Sequence, residues 1–143
     1  MSSQGKPSVL FVVGPTASGK TDAGLGILDA LRNCGAVGEI VNADSRQVYR
    51  GMSIGTAKPT PDQLSRARHH LIDVADPSDG FSLAAFLELS RSAVLEILSR
   101  GAIPVVVGGT GQYIWGLAEG WHAPEVEANE EIRARLPAVV DAA

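Results

Sequence analysis

Two stretches of the chain are apolar almost without interruption, Ser8–Val13 ("SVLFVV") and Ile103–Gly109 ("IPVVVGG"). Strands covered on both faces of a parallel sheet read this way, so both are predicted as buried strands. A third strand, Gly38–Asp44 ("GEIVNAD"), ends on a carboxylate. Lys20–Asn33 reads as a helix, weakened by Gly24 and Gly26 at about 1 kcal/mol each relative to alanine. The strongest helical signal lies between Ser82 and Arg100. There Leu83, Phe86, Leu87, Val94, Ile97 and Leu98 fall near a 3.6-residue spacing, with Ser82 as the cap and Gly101 as the stop. Gly51, Gly55 and Pro59 punctuate a loop from Ser45 to Pro61. A short helix and then an extended segment, Leu71–Val74, are predicted from "PDQLSRARHHLIDVADPS". Thr110 opens a last helix to about Glu119, and after Trp121 the chain turns acidic and alanine-rich. Strands alternating with helices predict an α/β fold, a parallel sheet flanked by helices.

Composition narrows this picture only slightly. With 143 residues, 45% hydrophobic and 20% charged, the chain suits one domain able to bury a core. Its single cysteine, Cys34, cannot form an internal disulfide, which makes a reducing cytoplasm the expected compartment. The apolar run near the amino terminus is too short for a signal-peptide core or a membrane span. A net charge of −4 argues against this chain alone gripping a polyanion.

The chemistry concentrates at the carboxyl ends of the predicted strands, where parallel sheets bind ligands. Gly14–Thr21 ("GPTASGKT") fits the glycine-rich phosphate-binding pattern, directly after a strand and before a helix. Backbone N–H groups of such a loop form an anion-binding concavity at a helix amino terminus. Lys20 adds a point charge, and Thr21 offers a hydroxyl to a magnesium ion. The apolar strand at Ile103–Gly109 runs into Gly-Gly-Thr and lacks the acid that usually holds that metal. The acid comes instead from Asp44, as a magnesium ligand, as a base, or as a turn residue; spacing leaves all three open. Lys58 reads as plain surface, His69–His70 as structural, Trp115 and Trp121 as packing, and Cys34 as inert.

Four strings in this order, "GPTASGKT", "NADSRQVYRGMSIGTAKP", "HHLIDVADPSDGFSLAAF" and "IPVVVGGTGQYIWGL", closely resemble the amino-terminal half of tRNA dimethylallyltransferases, also called tRNA isopentenyltransferases. The resemblance implies a P-loop NTPase-like core over residues 1–121, incomplete here, and the start of a helical insertion over residues 122–143. It implies that Gly14, Pro15, Thr16, Ala17, Ser18, Gly19, Lys20 and Thr21 hold the diphosphate of dimethylallyl diphosphate, with Mg2+ on Thr21. The prenyl group would pass to the exocyclic amine of an adenine beside the tRNA anticodon. The resemblance also implies that Asp44, Lys20 and Thr110 are catalytic, and that Asp44, Ser45, Arg46, Gln47, Thr110 and Arg133 contact tRNA. A monomer without membrane attachment is expected. An adenylate prenyltransferase, a P-loop small-molecule kinase and a non-catalytic phosphate-binding fragment are the competing readings.

Overall fold

The structure, a computed structural model, describes residues 8–122 and the single positions 129, 131 and 134. Most of the expected insertion, Arg133 included, lies outside the described residues. Four parallel strands, β1 (Leu10–Val13), β2 (Gly38–Asn42), β3 (His69–His70) and β4 (Ile103–Gly108), form one sheet in the order β1-β4-β2-β3. Helices α1 (Lys20–Asn33), α2 (Pro61–Arg66), α3 (Leu83–Ser99) and α4 (Gly111–Ala118) connect or follow them. Side chains alternate across the strands, so the sheet feeds two cores. Ile40, Val105 and Val107 pack with Leu25 and Leu28 of α1, while Val41 and Val106 pack with Phe86, Leu87 and Ile97 of α3 and with α4.

Helix ends follow the sequence closely. The Ser82 hydroxyl accepts the Ala85 N–H at 3.1 Å, and Gly101, at φ +73°, takes the left-handed turn that ends α3. Gly24 has a packing reason: a Cβ there would sit 2.9 Å from a Val107 methyl, so glycine lets α1 lie close on β4. Two expectations need correction. β1 is an edge strand, with Val13 55% exposed and Leu10 and Phe11 each 37% exposed, because among the described residues only β4 pairs with it. Leu71–Val74 is not extended, because Leu71 (φ +61°) and Asp73 (φ +55°) are left-handed; the strand is the preceding His69–His70.

At the amino end of the sheet, buried Glu39 receives His70 Nε2 at 2.6 Å and Arg100 Nη2 at 2.9 and 3.0 Å on its two oxygens. Arg68 lies 3.8 Å away, and Glu96 joins Arg100. Burial alone would raise the Glu39 carboxyl's pKa. The hydrogen bonds from His70 and Arg100 outweigh it and hold the group below its ordinary value of 4.5. A depressed carboxylate stabilises the fold above its unfolded pKa, and the contribution disappears as pH falls through the folded one. Thermal stability should therefore fall on acidification below about pH 4.5. Glu39→Gln should lose about 1.5–3 kcal/mol at pH 7 and flatten that acid limb. Melting curves of both proteins from pH 3 to 7 check this; an unchanged acid limb would remove Glu39 as its source.

Candidate functional site

The phosphate-binding loop leaves β1 and enters α1 through two left-handed residues, Ala17 (φ +62°) and Gly19 (φ +80°). Ser18 Oγ donates to the Pro15 carbonyl at 2.8 Å and Lys20 Nζ to the same oxygen at 2.5 Å, which curls the loop on itself. Gly109, just past β4, packs beneath it, where a Cβ would lie 2.7 Å from the Gly14 carbonyl oxygen. The loop, the end of β2 and the end of β4 are thus adjacent, as the carboxyl-end rule requires.

β2 and β4 are joined at this end by backbone contact. The Ala43 N–H donates to Val107 at 2.8 Å and the Thr110 N–H to Ala43 at 3.3 Å. A Cβ on Gly108 would fall 2.2 Å from the Ala43 oxygen, so only glycine permits this approach. Asp44 follows Ala43 directly. One of its carboxylate oxygens accepts the Arg46 N–H at 2.9 Å, a local turn that orients the group and leaves the second oxygen without a protein partner among the described residues. Thr110 begins α4 but does not cap it with its side chain. Its hydroxyl accepts the Ser45 N–H at 2.9 Å and donates to Ser45 Oγ at 3.2 Å.

Asp44 borders three clefts. One, of about 690 Å³, is lined by Thr16–Asp22 with Gln47, Ala57, Lys58 and Gln63. A second, narrow one runs under it between Lys20, Thr21 and Asn42 and the apolar side chains of Ile40, Pro59, Ile72 and Val107. The third, of about 420 Å³, lies on the other side, among Thr16, Ser45, Arg46, Gly55, Thr56 and Thr110. Asp44, Ser45, Arg46 and Thr110 therefore meet at one opening. Gln47 does not join them; it is buried and faces the phosphate-loop side. Its NH₂ group donates to the Thr56 and Ala57 carbonyls at 3.1 and 2.9 Å, contacts only the nitrogen end of the amide can make.

Several readings of single residues change. His70 is structural, bound to Glu39, but His69 lines the apolar cleft. His69 Nδ1 lies 2.8 Å from the Ala67 carbonyl and must donate to it, which makes buried Nε2 the lone-pair end, without a partner among the described residues. Burial holds the His69 pKa below its ordinary value and keeps the ring neutral. The Lys58 side chain is largely covered rather than plain surface. Trp115 is 58% exposed and packs little. Tyr113 of α4 stacks on Phe86 at 3.9 Å. Burial, and after it the neighbouring Tyr49 and Asp44, push its hydroxyl up to about 12, so it stays protonated beside the Asp44 carboxylate. An oxygen set of the Thr21 hydroxyl, the free Asp44 oxygen and ligand phosphates suits Mg2+, which prefers few protein ligands and keeps several waters.

Fold and site together define a phosphate-loop α/β protein in which an aspartate, Asp44, follows the second strand and the apolar β4 runs into Gly-Gly-Thr. A sequence profile of the IPP transferase family matches residues 47–143, and the chain belongs to that family. It is 48% identical over 128 residues to the tRNA dimethylallyltransferase of Chloroflexus aurantiacus, covering 90% of this chain and 42% of that protein. The Bifidobacterium longum tRNA dimethylallyltransferase is 51% identical over 128 residues, with 90% and 38% covered. The crystal structure of the Bacillus halodurans tRNA isopentenylpyrophosphate transferase superposes with a TM-score of 0.77 at 40% identity, over 96% of this chain and 44% of that one. A eukaryotic dimethylallyltransferase acting on tRNA superposes with a TM-score of 0.70 at 30% identity, over 76% and 26%. The chain thus spans well under half the length of these relatives. No described helix is long and apolar enough to cross a membrane.

Proposed function

We propose that this chain is the diphosphate-binding and base-activating part of a tRNA prenyltransferase, using dimethylallyl diphosphate and Mg2+ in the cytoplasm. The observation that carries the reading is the position of Asp44, on the common wall between the phosphate-loop clefts and the opening lined by Ser45, Arg46 and Thr110. An allylic diphosphate fits the first side, its phosphates on residues 14–21 and its apolar tail along Ile40, Ile72 and Val107. An adenine extruded from its stack fits the second side. Its exocyclic nitrogen attacks the allylic carbon, the carbon–oxygen bond to diphosphate breaks, and the electron pair leaves with diphosphate. Asp44 accepts the proton released from that nitrogen. Loop N–H groups and Lys20 stabilise the negative charge as it gathers on the leaving group. Mg2+, when bound at Thr21, supplies further charge to the diphosphate oxygens. Arg46 is exposed at the opening, where a cation suits the RNA backbone.

Labelled dimethylallyl diphosphate incubated with tRNA, with AMP, or replaced by ATP and a small acceptor separates this reading from its competitors. Label appearing in tRNA alone supports it. Label in AMP would make the protein an adenylate prenyltransferase, and phosphate transfer from ATP without response to the isoprenoid would make it a kinase. Binding alone, with no transfer, would leave a phosphate-binding fragment. Lys20→Ala should weaken dimethylallyl diphosphate binding about 10- to 150-fold, the equivalent of the roughly 1.5–3 kcal/mol of a charge-assisted contact. Calorimetric titration reads this directly, and an unchanged affinity would remove the phosphate loop from the reaction.

A further inference from the structure

We propose that Lys58, acting through Asp73, is a positioning residue that holds the Asp44–Gln47 segment in its reactive geometry. The Lys58 side chain is 7% exposed, and its Nζ donates to the Tyr49 carbonyl and to the Asp73 carboxylate, each at 2.5 Å. With Asp73 half-exposed, the ion pair adds little net stability, and its contribution is directed contacts.

Those contacts lead to the site. Asp73 donates its N–H to the Gln47 carbonyl at 3.3 Å, and the Val74 and Ala75 N–H groups donate to Val48 at 2.8 and 3.0 Å. The Arg50 N–H returns to Ala75 at 2.9 Å. Residues 47–50 are thereby laced to residues 73–75, with Lys58 bridging both. Ala57, next to Lys58, supplies one of the two carbonyls that fix the Gln47 amide. Gln47 in turn lines both phosphate-side clefts beside Asp44. Ala57 (φ +52°), Leu71 and Asp73 are left-handed without being glycine, three of the four such residues described. Backbone of this kind persists only where its surroundings over-determine it, and it clusters where a reaction needs fixed geometry.

The effect on rate rests on the prenyl-transfer reading; the effect on the segment does not. The test compares the native full-length protein with Lys58→Met, Asp73→Asn and the double variant. It measures amide hydrogen exchange at Arg50, Val74 and Ala75, single-turnover transfer to tRNA, and dimethylallyl diphosphate affinity. Each single variant should lose at least about 10-fold protection at these amides and about 10- to 100-fold in rate, since small misplacements cost that much. For Asp73→Asn, diphosphate affinity should stay within about 3-fold, because residues 14–21 and the cleft-lining Lys58 are untouched. The double variant should be no worse than either single one, the mark of two residues acting as a unit. Additive losses, or protection lost equally in α1 and β4, would overturn the proposal by reducing the pair to general stability. Should Lys58→Met not fold, Asp73→Asn, on a half-exposed carboxylate, carries the same comparison. If the native protein transfers no prenyl group, the functional reading falls, and exchange at the three amides still decides whether the pair holds the segment.

Discussion

Asp44→Asn, made in a protein spanning the full length of the relatives, is expected to lower single-turnover prenyl transfer by about 10²–10⁴-fold, the usual contribution of a positioned base. The amide keeps the size of the carboxylate and one acceptor oxygen, so the turn to the Arg46 N–H at 2.9 Å survives. It cannot take a proton at neutral pH. Because the phosphate loop is built from Pro15, Ser18 and Lys20 without help from Asp44, dimethylallyl diphosphate should bind nearly as before. Asp44 also borders the two clefts that contain Thr21, and this gives the experiment a second arm. If Asp44 chiefly anchors magnesium, affinity and its metal dependence should collapse together with the rate. Turnover and affinity measured on one variant separate the two roles, and native turnover would leave Asp44 as a turn residue only.

Gly108→Ala is expected to be the most damaging single methyl in the chain. Its Cβ would lie 2.2 Å from the Ala43 oxygen and 2.3 Å from the Ala43 carbonyl carbon, and both are backbone atoms of a neighbouring strand. No rotamer relieves that overlap, so β2 and β4 must separate at the end that carries the site. Overpacking of this sort costs about 3 kcal/mol or more, a large share of the 5–15 kcal/mol that holds a domain folded. Gly26→Ala is the matched control. Nothing lies within 4 Å of its Cβ, and it sits in the interior of α1, where alanine should add about 0.5–1 kcal/mol. Denaturant unfolding of the pair should move in opposite directions; a Gly108→Ala protein of native stability would contradict the close approach.

Local patterns were legible and pairings were not. The spacing of Gly14–Thr21, the period of α3 and its Ser82 cap all act within a few residues, and each matches the structure. The adjacency of the phosphate loop, Asp44 and Gly108–Thr110 also followed, since carboxyl ends of parallel strands share one edge. The edge position of β1 did not, because an apolar run does not reveal how many neighbours a strand has. Lys58 escaped notice for a similar reason. In "GTAKP" it looks like surface, and its partner Asp73 stands fifteen residues later in a left-handed conformation that no aspartate advertises. The resemblance groups Gln47 with Ser45 and Arg46; the Thr56 and Ala57 carbonyls that hold its amide lie nine and ten residues on, which the sequence alone does not reveal.

The contact of Gly108 with Ala43 also gives the site a rigid frame. Backbone atoms in van der Waals contact, tied further by the hydrogen bonds from Ala43 to Val107 and from Thr110 to Ala43, cannot slide as ligands come and go. The separation of Asp44 and Thr110 is therefore fixed by main-chain contacts. Outside that frame stands α2, which buries none of its side chains and is held to α1 by Gln63–Asp22 and Arg66–Asp29.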